Sequence, residues 1–556
     1  MATESDRLTQ VTSRRPKSAT PPRLELASVF AATVVALVMV HWVMLRSGFR
    51  LVQDSPYDTR GNHFVMEHEY RWMRGDPGHK SLFDPPVFYP IRGTLTYGDV
   101  LLSYALPYAA VRALGASPES AYQAWLIFTT VVNVVAASLF FHRVVRAPPI
   151  AATVGTLLFC VVGPRLHQFD HPQLYPQVFL LLVAASVVRI LGDGARPDAQ
   201  RFTIWPAVLA VALALQAWGG FYLLFFTLLA LFLGIVAGMA TRVGRAMISG
   251  TIRRCWPSLV TAGALFVVLV APLALRYREA LVQVGGRSYA GIVYLLPRPQ
   301  SWFYPGASWL WGWTTEFPIF RELPSGEHVM GFGVLTILIG LAGLWLKRQE
   351  PIAQWLVIMV GLIVILSTVV AGHSLWRLMH LVVPGANAIR AVARIWLVCV
   401  VPLALAVAAV IGRLERRGYA VAAVLLGALC VGEQLYPKGG YDKVQVRAEV
   451  ERITHAIPPT ARTFFVSVSH AEWEFRPHYD AMWAALEAGL PTINGGLPNY
   501  PRGYDLITVA QVDLELAEDE RRLRTWCEKN GLSPAEVAWV HDEKLRPIKP
   551  GPDTGP

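Results

Sequence analysis

Charged residues are scarce in this sequence. Asp, Glu, Lys and Arg together make up 16% of the 556 residues, whereas 54% are hydrophobic and the mean hydropathy is +0.39. Soluble domains typically carry about 25% charged and 45–50% apolar residues. The composition therefore excludes a cytosolic enzyme, a disordered scaffold and a secreted disulfide module. Repeated apolar runs of about 17–25 residues instead predict an α-helical polytopic membrane protein.

The sequence also lacks a cysteine pattern. It has five cysteines, an odd number, and only Cys527 falls in a clearly soluble stretch. No spacing indicates a disulfide framework or a zinc site. The net charge of +11 lies largely in short loops between apolar runs, where it sets topology. We therefore expect no nucleic-acid partner.

Eleven apolar runs are long enough to predict membrane spans. Residues 1–23 are polar and basic, with no apolar stretch, which is typical of a disordered tail. By hydropathy, the predicted spans are 24–45, 120–141, 149–163, 173–192, 202–218, 220–240, 257–275, 329–346, 352–370, 391–411 and 419–434. Together they predict a membrane domain over 24–435.

Arginine and lysine in the short loops predict the orientation of these spans, since such loops stay cytoplasmic. All of them lie inside if the run 99–116, with Pro107 and Arg112, is an interfacial or re-entrant helix. The alternative is that 99–116 crosses and another span is miscounted. If 99–116 is an interfacial or re-entrant helix, the N-terminus is cytoplasmic. The large outer regions are the loops 46–119 and 276–328 and a small α/β domain over 436–556.

Acidic residues and lysines are missing from the centres of the spans. Arg189 and Arg394 lie near span ends, where long side chains can snorkel to the membrane surface. Coupled transporters normally place ionisable groups or broken helices at the midplane. Their absence argues against transport, and a flippase for lipid-linked sugars would need a polar path that the spans lack.

Polar candidates concentrate on the outer side, in two loops. Asp54 lies at the membrane edge after the first span, Asp99 follows in the same loop, and a second loop holds His167, Asp170 and His171. Opposed carboxylates suit general-base chemistry or capture of a divalent cation that bridges phosphates. Metal binding by the sequence HQFDH is one alternative, and hydrogen-bonded histidines are the other. Most of the remaining acids of the first loop are expected to be solvated: Asp58, Glu67, Glu69 and Asp76.

Aromatic and basic residues fill the loop 276–328, including Arg278 and Arg287. An interfacial aromatic belt would explain the Trp and Tyr residues, and a groove for an isoprenoid phosphate would explain the arginines as well. Arg390 and Arg394 lie one helical turn apart and are expected to share a helix face. A phosphate at that helix N-terminus would contact arginine and helix dipole together.

These residues give the sequence a resemblance to bacterial GT-C membrane glycosyltransferases. Its layout of one helix, a long outer loop with an early acid, an interfacial helix and a short outer loop with a second acid is similar to theirs. The segments that carry the resemblance are QDSPYD, FYP…LTYGD, GPRLHQFDHPQL, AIRAVAR and AMWAALEAGLPTINGGLPNYPRGY. They extend over most of residues 24–505.

The resemblance implies an enzyme of the bacterial inner membrane. It would move a sugar from a polyprenyl-phosphate donor to an envelope glycan, lipid or protein on the outer face. Asp54 matches the first-loop catalytic acid and Asp170 the second-loop acid, with His171 competing for that role. The first loop has Gln-Asp where the family has an acidic pair, which leaves a divalent cation requirement open. Residues expected to bind substrate are Asp99, His167, Arg278, Arg287, Arg390 and Arg394.

Besides a structural or assembly protein, two alternatives stay open at the level of sequence. A GT-C-like scaffold without catalysis would have the same layout, because a fold does not imply a function. A transporter of lipid-linked glycans in envelope assembly is the other. No nucleotide-binding loop is expected for a lipid-linked donor, and the isolated glycine pairs lack the strand–turn–helix context of one.

Overall fold

The computed structural model describes residues 21–194, 203–469, 475–507 and 516–548, and most of them are α-helical. Within these ranges, seven helical segments are long and apolar enough to cross a membrane, and four shorter apolar helices accompany them. The eleven segments lie at the eleven predicted spans, so the chain is a multi-pass membrane protein. The predicted tail 1–23 lies almost wholly outside the described residues.

The membrane part and its loops contain sixteen α-helices in the described ranges, besides short 3₁₀ and π turns. They are α1 (Pro22–Arg46), α2 (Asp58–Arg74), α3 (Leu102–Ala113), α4 (Pro118–Leu139), α5 (Pro149–Val161), α6 (Gly163–His167), α7 (Val178–Gly194), α8 (Trp205–Gly219), α9 (Phe221–Met239), α10 (Arg242–Val284), α11 (Pro318–Arg321), α12 (Val334–Leu346), α13 (Pro351–Ser367), α14 (Trp376–Val382), α15 (Trp396–Arg416) and α16 (Ala420–Gly432).

Helix α3 lies in the run whose crossing was in question. Its 12 residues make a helix about 18 Å long, whereas the hydrocarbon core of a bilayer is about 30 Å thick. Pro107 lies inside it and removes one backbone donor from the hydrogen-bond ladder. This length favours the interfacial or re-entrant interpretation of 99–116.

The C-terminal region combines helices and strands. Its elements are β2 (Gly440–Asp442), α17 (Lys443–Ala456), β3 (Thr463–Ser467), α18 (Arg476–Ala488), α19 (Leu516–Lys529), β4 (Val537–His541) and β5 (Lys544–Arg546). Strand β3 pairs with β4 in parallel, and β5 pairs antiparallel with β4. Both β3 and β4 are wholly buried, as expected for parallel strands covered on both faces. The predicted small α/β fold is confirmed.

A short two-stranded ribbon ties the two ends of the membrane part together. Strand β1 (Leu51–Gln53) follows α1 directly and pairs antiparallel with β2, which follows α16. The C-terminal region also packs on the segment between α1 and α4. The amides of Phe88 and Tyr89 donate to the carbonyls of Asn494 and Thr492, at 3.1 and 3.0 Å. The first loop and the C-terminal region therefore form one packed unit at the ends of the helices.

Candidate active site

Asp54 lies immediately after β1 and has a left-handed backbone, with φ of +70°. Asp is one of the few residues that enter this region, because its short side chain can hydrogen-bond locally. Here Oδ1 accepts from the Ser55 amide at 3.0 Å. The Asp54 amide donates to the Gly439 carbonyl at 3.1 Å. The ribbon thus fixes both the position and the direction of this carboxylate.

Lys438 is the partner of Asp54. Its Nζ lies 2.7 Å from Asp54 Oδ2, and it stands 5.4 Å from the centroid of the Phe169 ring. Burial lowers the pKa of Lys438, while the carboxylates of Asp54 and Asp170 oppose that shift. One buried ammonium group therefore interacts with the two acids that the sequence assigned to different loops.

His171 joins a second pair of acids. Its Nδ1 lies 2.8 Å from Asp170 Oδ1, and its Nε2 lies 3.1 Å from Asp58 Oδ2. Burial and the nearby Arg394 charge lower the pKa of His171, but the two carboxylates outweigh them and raise it to about 10. The ring is therefore an imidazolium at neutral pH, which donates from both nitrogens and cannot take up a proton as a base.

Asp58 belongs to this cluster, although an acid in an outer loop was expected to be solvated. Its Oδ1 accepts from the Tyr479 hydroxyl at 3.0 Å. Burial raises the pKa of Asp58, but hydrogen bonding and charge from His171 outweigh burial and lower it. The side chains of Asp58 and Asp170 remain 41% and 35% exposed. These two acids therefore form the open side of the cluster, where a ligand has access.

Two other acids of the first loop are buried, so their predicted solvation is wrong. Glu67 is fully buried and bonds the guanidinium groups of Arg112 and Arg71, at 2.8 and 3.0 Å. Glu69 is fully buried too, and burial raises its pKa well above the ordinary value. The reason is that α2 packs against α3 on one side and α18 on another. Asp76 lies near the surface and pairs with Arg74.

Arg394 forms a buried ion pair with Glu327, and so it does not snorkel. Its Nε donates to Glu327 Oε2 at 3.0 Å, and its Nη2 bonds Oε1. Burial raises the pKa of Glu327, but the guanidinium group outweighs it and lowers the pKa. The Gln168 amide also donates to Glu327, at 2.9 Å. This pair connects the start of α15 to the Asp170 loop.

Arg390 and Arg394 do not share a helix face, which corrects the sequence prediction. A 3₁₀ turn covers Val392–Ile395, and α15 begins at Trp396. The backbone amide of Arg390 donates to the Tyr222 hydroxyl at 3.1 Å. Within the described ranges, no hydrogen bond or ion pair engages the Arg390 side chain. The helix-terminus phosphate site expected there is therefore not formed by consecutive turns of one helix.

Arg287 lies close to Arg390. Burial lowers the pKa of Arg287, and the positive charge of Arg390 adds to that effect. Arg287 Nη2 donates to the Pro498 carbonyl at 2.8 Å and to Asn499 Oδ1 at 2.7 Å. Two neighbouring guanidinium groups disfavour each other unless an anion lies near them. Their placement suits a phosphate group, which guanidinium binds well.

The other three candidate binding residues have different surroundings. His167 uses both ring nitrogens within the protein, with the Tyr436 hydroxyl and the Gly326 carbonyl each at 2.9 Å. Asp99 accepts from the Phe221 amide at 2.6 Å, and burial raises its pKa against the charges of Arg394 and His171. Arg278 is exposed on α10. Charges of the cluster act on two of the three: those of Lys438, Asp170 and Glu327 act on His167, and those of Arg394 and His171 act on Asp99.

The donor set for a metal ion is incomplete. Across the part of the chain that the structure describes, no group of three His, Cys, Asp or Glu side chains could hold a metal ion. His167 and His171 bond different partners. Both histidines of HQFDH thus use their ring nitrogens within the protein, as the alternative of hydrogen-bonded histidines expects, and a divalent cation stays a prediction.

Lys438 and Glu327 were not identified from the sequence. A signal for Lys438 was available, since a lysine directly after the last span on the predicted outer side runs against the positive-inside rule. Glu327 carried no such signal, because an acid in a wet loop is ordinary. Only the fold brings it to Arg394.

Comparisons with known proteins give remote structural likenesses. No protein-family model matches the chain, and no curated protein matches it. Among solved structures, the mycobacterial arabinofuranosyltransferase AftD is similar at 14% identity and a TM-score of 0.46, over 85% of this chain. The chain spans 32% of that protein's length. ArnT from Cupriavidus metallidurans, bound to undecaprenyl phosphate, is similar at 12% identity and a TM-score of 0.31, over 84% of each chain.

Proposed function

We propose that this protein is a membrane glycosyltransferase of the GT-C type, which moves a sugar from a polyprenyl-phosphate donor to a cell-envelope acceptor. The main support for the proposal is that Lys438 and His171 each interact with acids that bring the first outer loop and the Asp170 loop together. Lys438 interacts with Asp54 and Asp170, and His171 bonds Asp170 and Asp58. Carboxylates thus converge at the ends of apolar helices, where a lipid-linked donor presents its phosphate and sugar.

In this proposal Asp54 is the general base. An acceptor hydroxyl attacks the anomeric carbon, its proton passes to the Asp54 carboxylate, and the bond between that carbon and the phosphate oxygen breaks. Direct displacement inverts the anomeric centre. A left-handed backbone at an Asp is a local strain that recurs at functional sites, which supports Asp54 over the other acids. His171, a cation at neutral pH, orients Asp170 and Asp58.

The leaving group of this reaction is the lipid phosphate, on which negative charge grows. Arg390 and Arg287 are the groups proposed to stabilise it, because preorganised cations act most strongly where charge develops. Arg390 has an uncommitted guanidinium group within the described ranges, so binding of a phosphate breaks no internal ion pair. Arg394 is committed to Glu327 and is proposed to position that loop.

The proposal places the site on the outer face of the bacterial inner membrane. The N-terminus is then cytoplasmic, and the region after residue 435 lies outside the cytoplasm. Membrane lipids surround the apolar helices, and the acceptor reaches the acids from the side on which Asp58 and Asp170 are exposed.

Asp54→Asn tests the proposal. The amide keeps the shape of the side chain but cannot accept a proton, so transfer should fall by roughly a hundredfold or more. The assay follows label from a polyprenyl-phosphate sugar into an envelope acceptor, with the purified protein in lipid. Asp76→Asn, in the same loop but paired with Arg74 near the surface, is the matched control and should keep the parent's rate.

A second variant separates catalysis from folding, because Asn at position 54 leaves Lys438 buried without a carboxylate. Removing one partner of a buried pair destabilises strongly. Asp54→Asn combined with Lys438→Met removes both charges, so its Tm should recover while transfer stays low. Parent-like transfer by a folded Asp54→Asn variant would remove Asp54 from catalysis. Absence of transfer by the parent with every donor would favour the non-catalytic alternative.

A further inference from the structure

A cavity of about 310 Å³ lies beside the candidate active site, and none of the residues of the proposed reaction lines it. One wall is the segment 81–96 of the first loop, and the other is the end of α10. Asp84, Arg92, Glu279 and Gln283 are among the residues that line it. Its size is at the small end of ligand sites in proteins, which suits one or two sugar rings.

Internal contacts hold the walls of this cavity in place. The Tyr97 hydroxyl donates to Gln283 Oε1 at 2.7 Å, and the Gly93 amide donates to Asp84 Oδ1 at 2.6 Å. Arg276 bonds Glu279 at 2.8 Å and lies over the Phe83 ring, 5.3 Å from its centroid. A site with fixed walls loses little freedom when a ligand binds.

Several polar atoms of the lining residues have no partner in the described ranges. They are the second carboxylate oxygen of Asp84, the side-chain nitrogen of Gln283 and the guanidinium group of Arg92. Planar acceptors and donors of this kind pair with the hydroxyl groups of a sugar, each of which both donates and accepts. The inventory thus fits a ligand that offers many hydroxyl groups.

The charges of the cavity separate it from a phosphate site. Arg92 and Arg276 are balanced by Asp84 and Glu279, so the formal charge of the lining is zero at pH 7. Guanidinium groups alone would favour a phosphate or carboxylate, whereas this lining holds one carboxylate for each guanidinium group. A neutral ligand fits this balance better than an anion does.

The cavity also lies close to the charge cluster. Thr96 lines it. Asp99 lies three residues further along the chain, and the positive charges of His171 and Arg394 act on its carboxylate. Three residues span at most about 11 Å. The Tyr277 hydroxyl of α10 donates to the Gly98 carbonyl at 3.0 Å, which holds the segment 96–99 against α10. The cavity and the charge cluster therefore adjoin the same short segment, 96–99.

We propose that this cavity binds neutral carbohydrate and is the subsite for the acceptor glycan. The assignment to the acceptor rests on the proposed glycosyltransferase function, whereas the binding of carbohydrate does not. Asp84, Arg92 and Gln283 hydrogen-bond the hydroxyl groups, and the bound glycan then lies next to the segment that carries Asp99. Among the envelope glycans, lipids and proteins considered as acceptors, the cavity selects a glycan without charge.

Binding is measured directly, without turnover. The full-length protein in lipid nanodiscs is exposed to methyl glycosides of neutral hexoses and pentoses, mono- and disaccharides, and saturation-transfer NMR reports contact. We expect transfer of magnetisation from the protein to at least one of these glycosides. The variants Arg92→Ala and Asp84→Asn should bind that glycoside at least tenfold more weakly. Lys80→Ala, which removes an exposed cation of the same loop, should bind as the parent does.

Two results would overturn the proposal. One is that none of these glycosides binds the parent at millimolar concentration. The other is that Arg92→Ala and Asp84→Asn, both folded by Tm, bind as the parent does. Inorganic phosphate, included as a competitor, should not displace the glycoside, and displacement would assign the cavity to anions instead.

A second readout distinguishes this proposal from the proposed function. Asp54→Asn should lose transfer but keep glycoside binding, because Asp54 does not line the cavity. If transfer occurs and Arg92→Ala leaves the acceptor KM unchanged, the cavity is not the acceptor subsite although the enzyme function stands. If glycosides bind through Arg92 and no donor supports transfer, the carbohydrate site stands and the enzyme function fails.

Discussion

At the scale of single residues, the candidate site is a set of charges that satisfy one another in pairs. Asp54 forms an ion pair with Lys438, and Glu327 forms one with Arg394. Asp58 and Asp170 both pair with His171. Buried charges persist only where they are paired and hydrogen-bonded. Arg390 differs from these, because no partner in the described ranges engages its side chain. It is therefore the cation with which a ligand can pair at the lowest energetic cost.

Arg390→Ala tests the part of this arginine in donor binding. Loss of the guanidinium group should raise the donor KM at least tenfold, and Arg390→Lys should restore it only in part, because lysine lacks the planar fork. Steady-state kinetics with varied donor provides the measurement. Arg278→Ala, an exposed arginine that lies outside the cluster, is the comparison. An Arg390→Ala variant with the parent's donor KM would show that Arg390 does not bind the phosphate.

His171 predicts a pH dependence of stability. Its folded pKa of about 10 lies above the ordinary value of about 6.5 for histidine. Protonation therefore stabilises the fold in full below about pH 6.5, and this contribution is lost as the pH rises towards 10. The Tm advantage of the parent over His171→Gln should shrink across that range. A Tm difference that stays constant from pH 6.5 to 10 would contradict an imidazolium at this position.

At the scale of elements, the β1–β2 ribbon is what places the proposed base. Leu51 pairs with Asp442, Val52 with Tyr441 and Gln53 with Gly440. Asp54, directly after β1, and Lys438, two residues before β2, therefore lie at the same end of the ribbon. The two strands lie nearly 400 residues apart in the chain, and each covers only three residues. A ribbon this short is not stable alone. Its packing on α1 and α4 holds it.

Gly440→Val should disturb this ribbon. A Cβ at position 440 would lie 2.7 Å from Val43 Cγ1 and 2.8 Å from the Val52 carbonyl oxygen, so a strand must shift. Overpacking of this kind costs about 1–3 kcal/mol, and the shift moves Lys438 away from Asp54. We expect a lower Tm and at least tenfold slower transfer. Gly439→Ala, whose Cβ would meet nothing within 4 Å, is the matched control.

At the scale of the whole molecule, the chain is a bundle of apolar helices with one packed unit at their ends. That unit combines the first loop with the C-terminal region, through backbone hydrogen bonds and the buried ion pair of Arg60 with Asp480 at 2.5 Å. The acids, the arginines and the cavity proposed to bind carbohydrate all lie at the junction of this unit with the helices. The proposed reaction would then take place where lipid and water meet.

Topology is the prediction that belongs to this scale. Basic short loops and an odd number of spans place the N-terminus inside and the C-terminal region outside. A cysteine at position 533, exposed in the structure, should react with a membrane-impermeant maleimide in intact cells. A cysteine at position 18 should react only after lysis. The five native cysteines are buried, so the parent serves as the blank. Labelling of both positions from one side would contradict eleven spans.

The sequence alone determined the class of this protein and the order of its elements. Apolar runs of membrane length identify helices locally, because a backbone in lipid must satisfy its own hydrogen bonds. The α/β pattern after residue 435 followed from hydrophobic periodicity in the same way. Asp54 could be named as a candidate because an acid at a membrane edge is unusual wherever the rest of the chain lies, and Asp170 was named from its place in the second outer loop and from the resemblance to GT-C enzymes.

Only the tertiary structure decided which charges meet. The partners of Asp54, Asp58 and Glu327 lie 384, 113 and 67 positions away in the chain, at Lys438, His171 and Arg394. Local patterns cannot encode such contacts, since loop residues look alike whether they end in water or in a packed interface. The buried state of Glu67 and the imidazolium at His171 follow from those neighbours. The sequence therefore identified Asp54 and Asp170, and the fold determined their partners and brought Asp58 and Glu327 to the site.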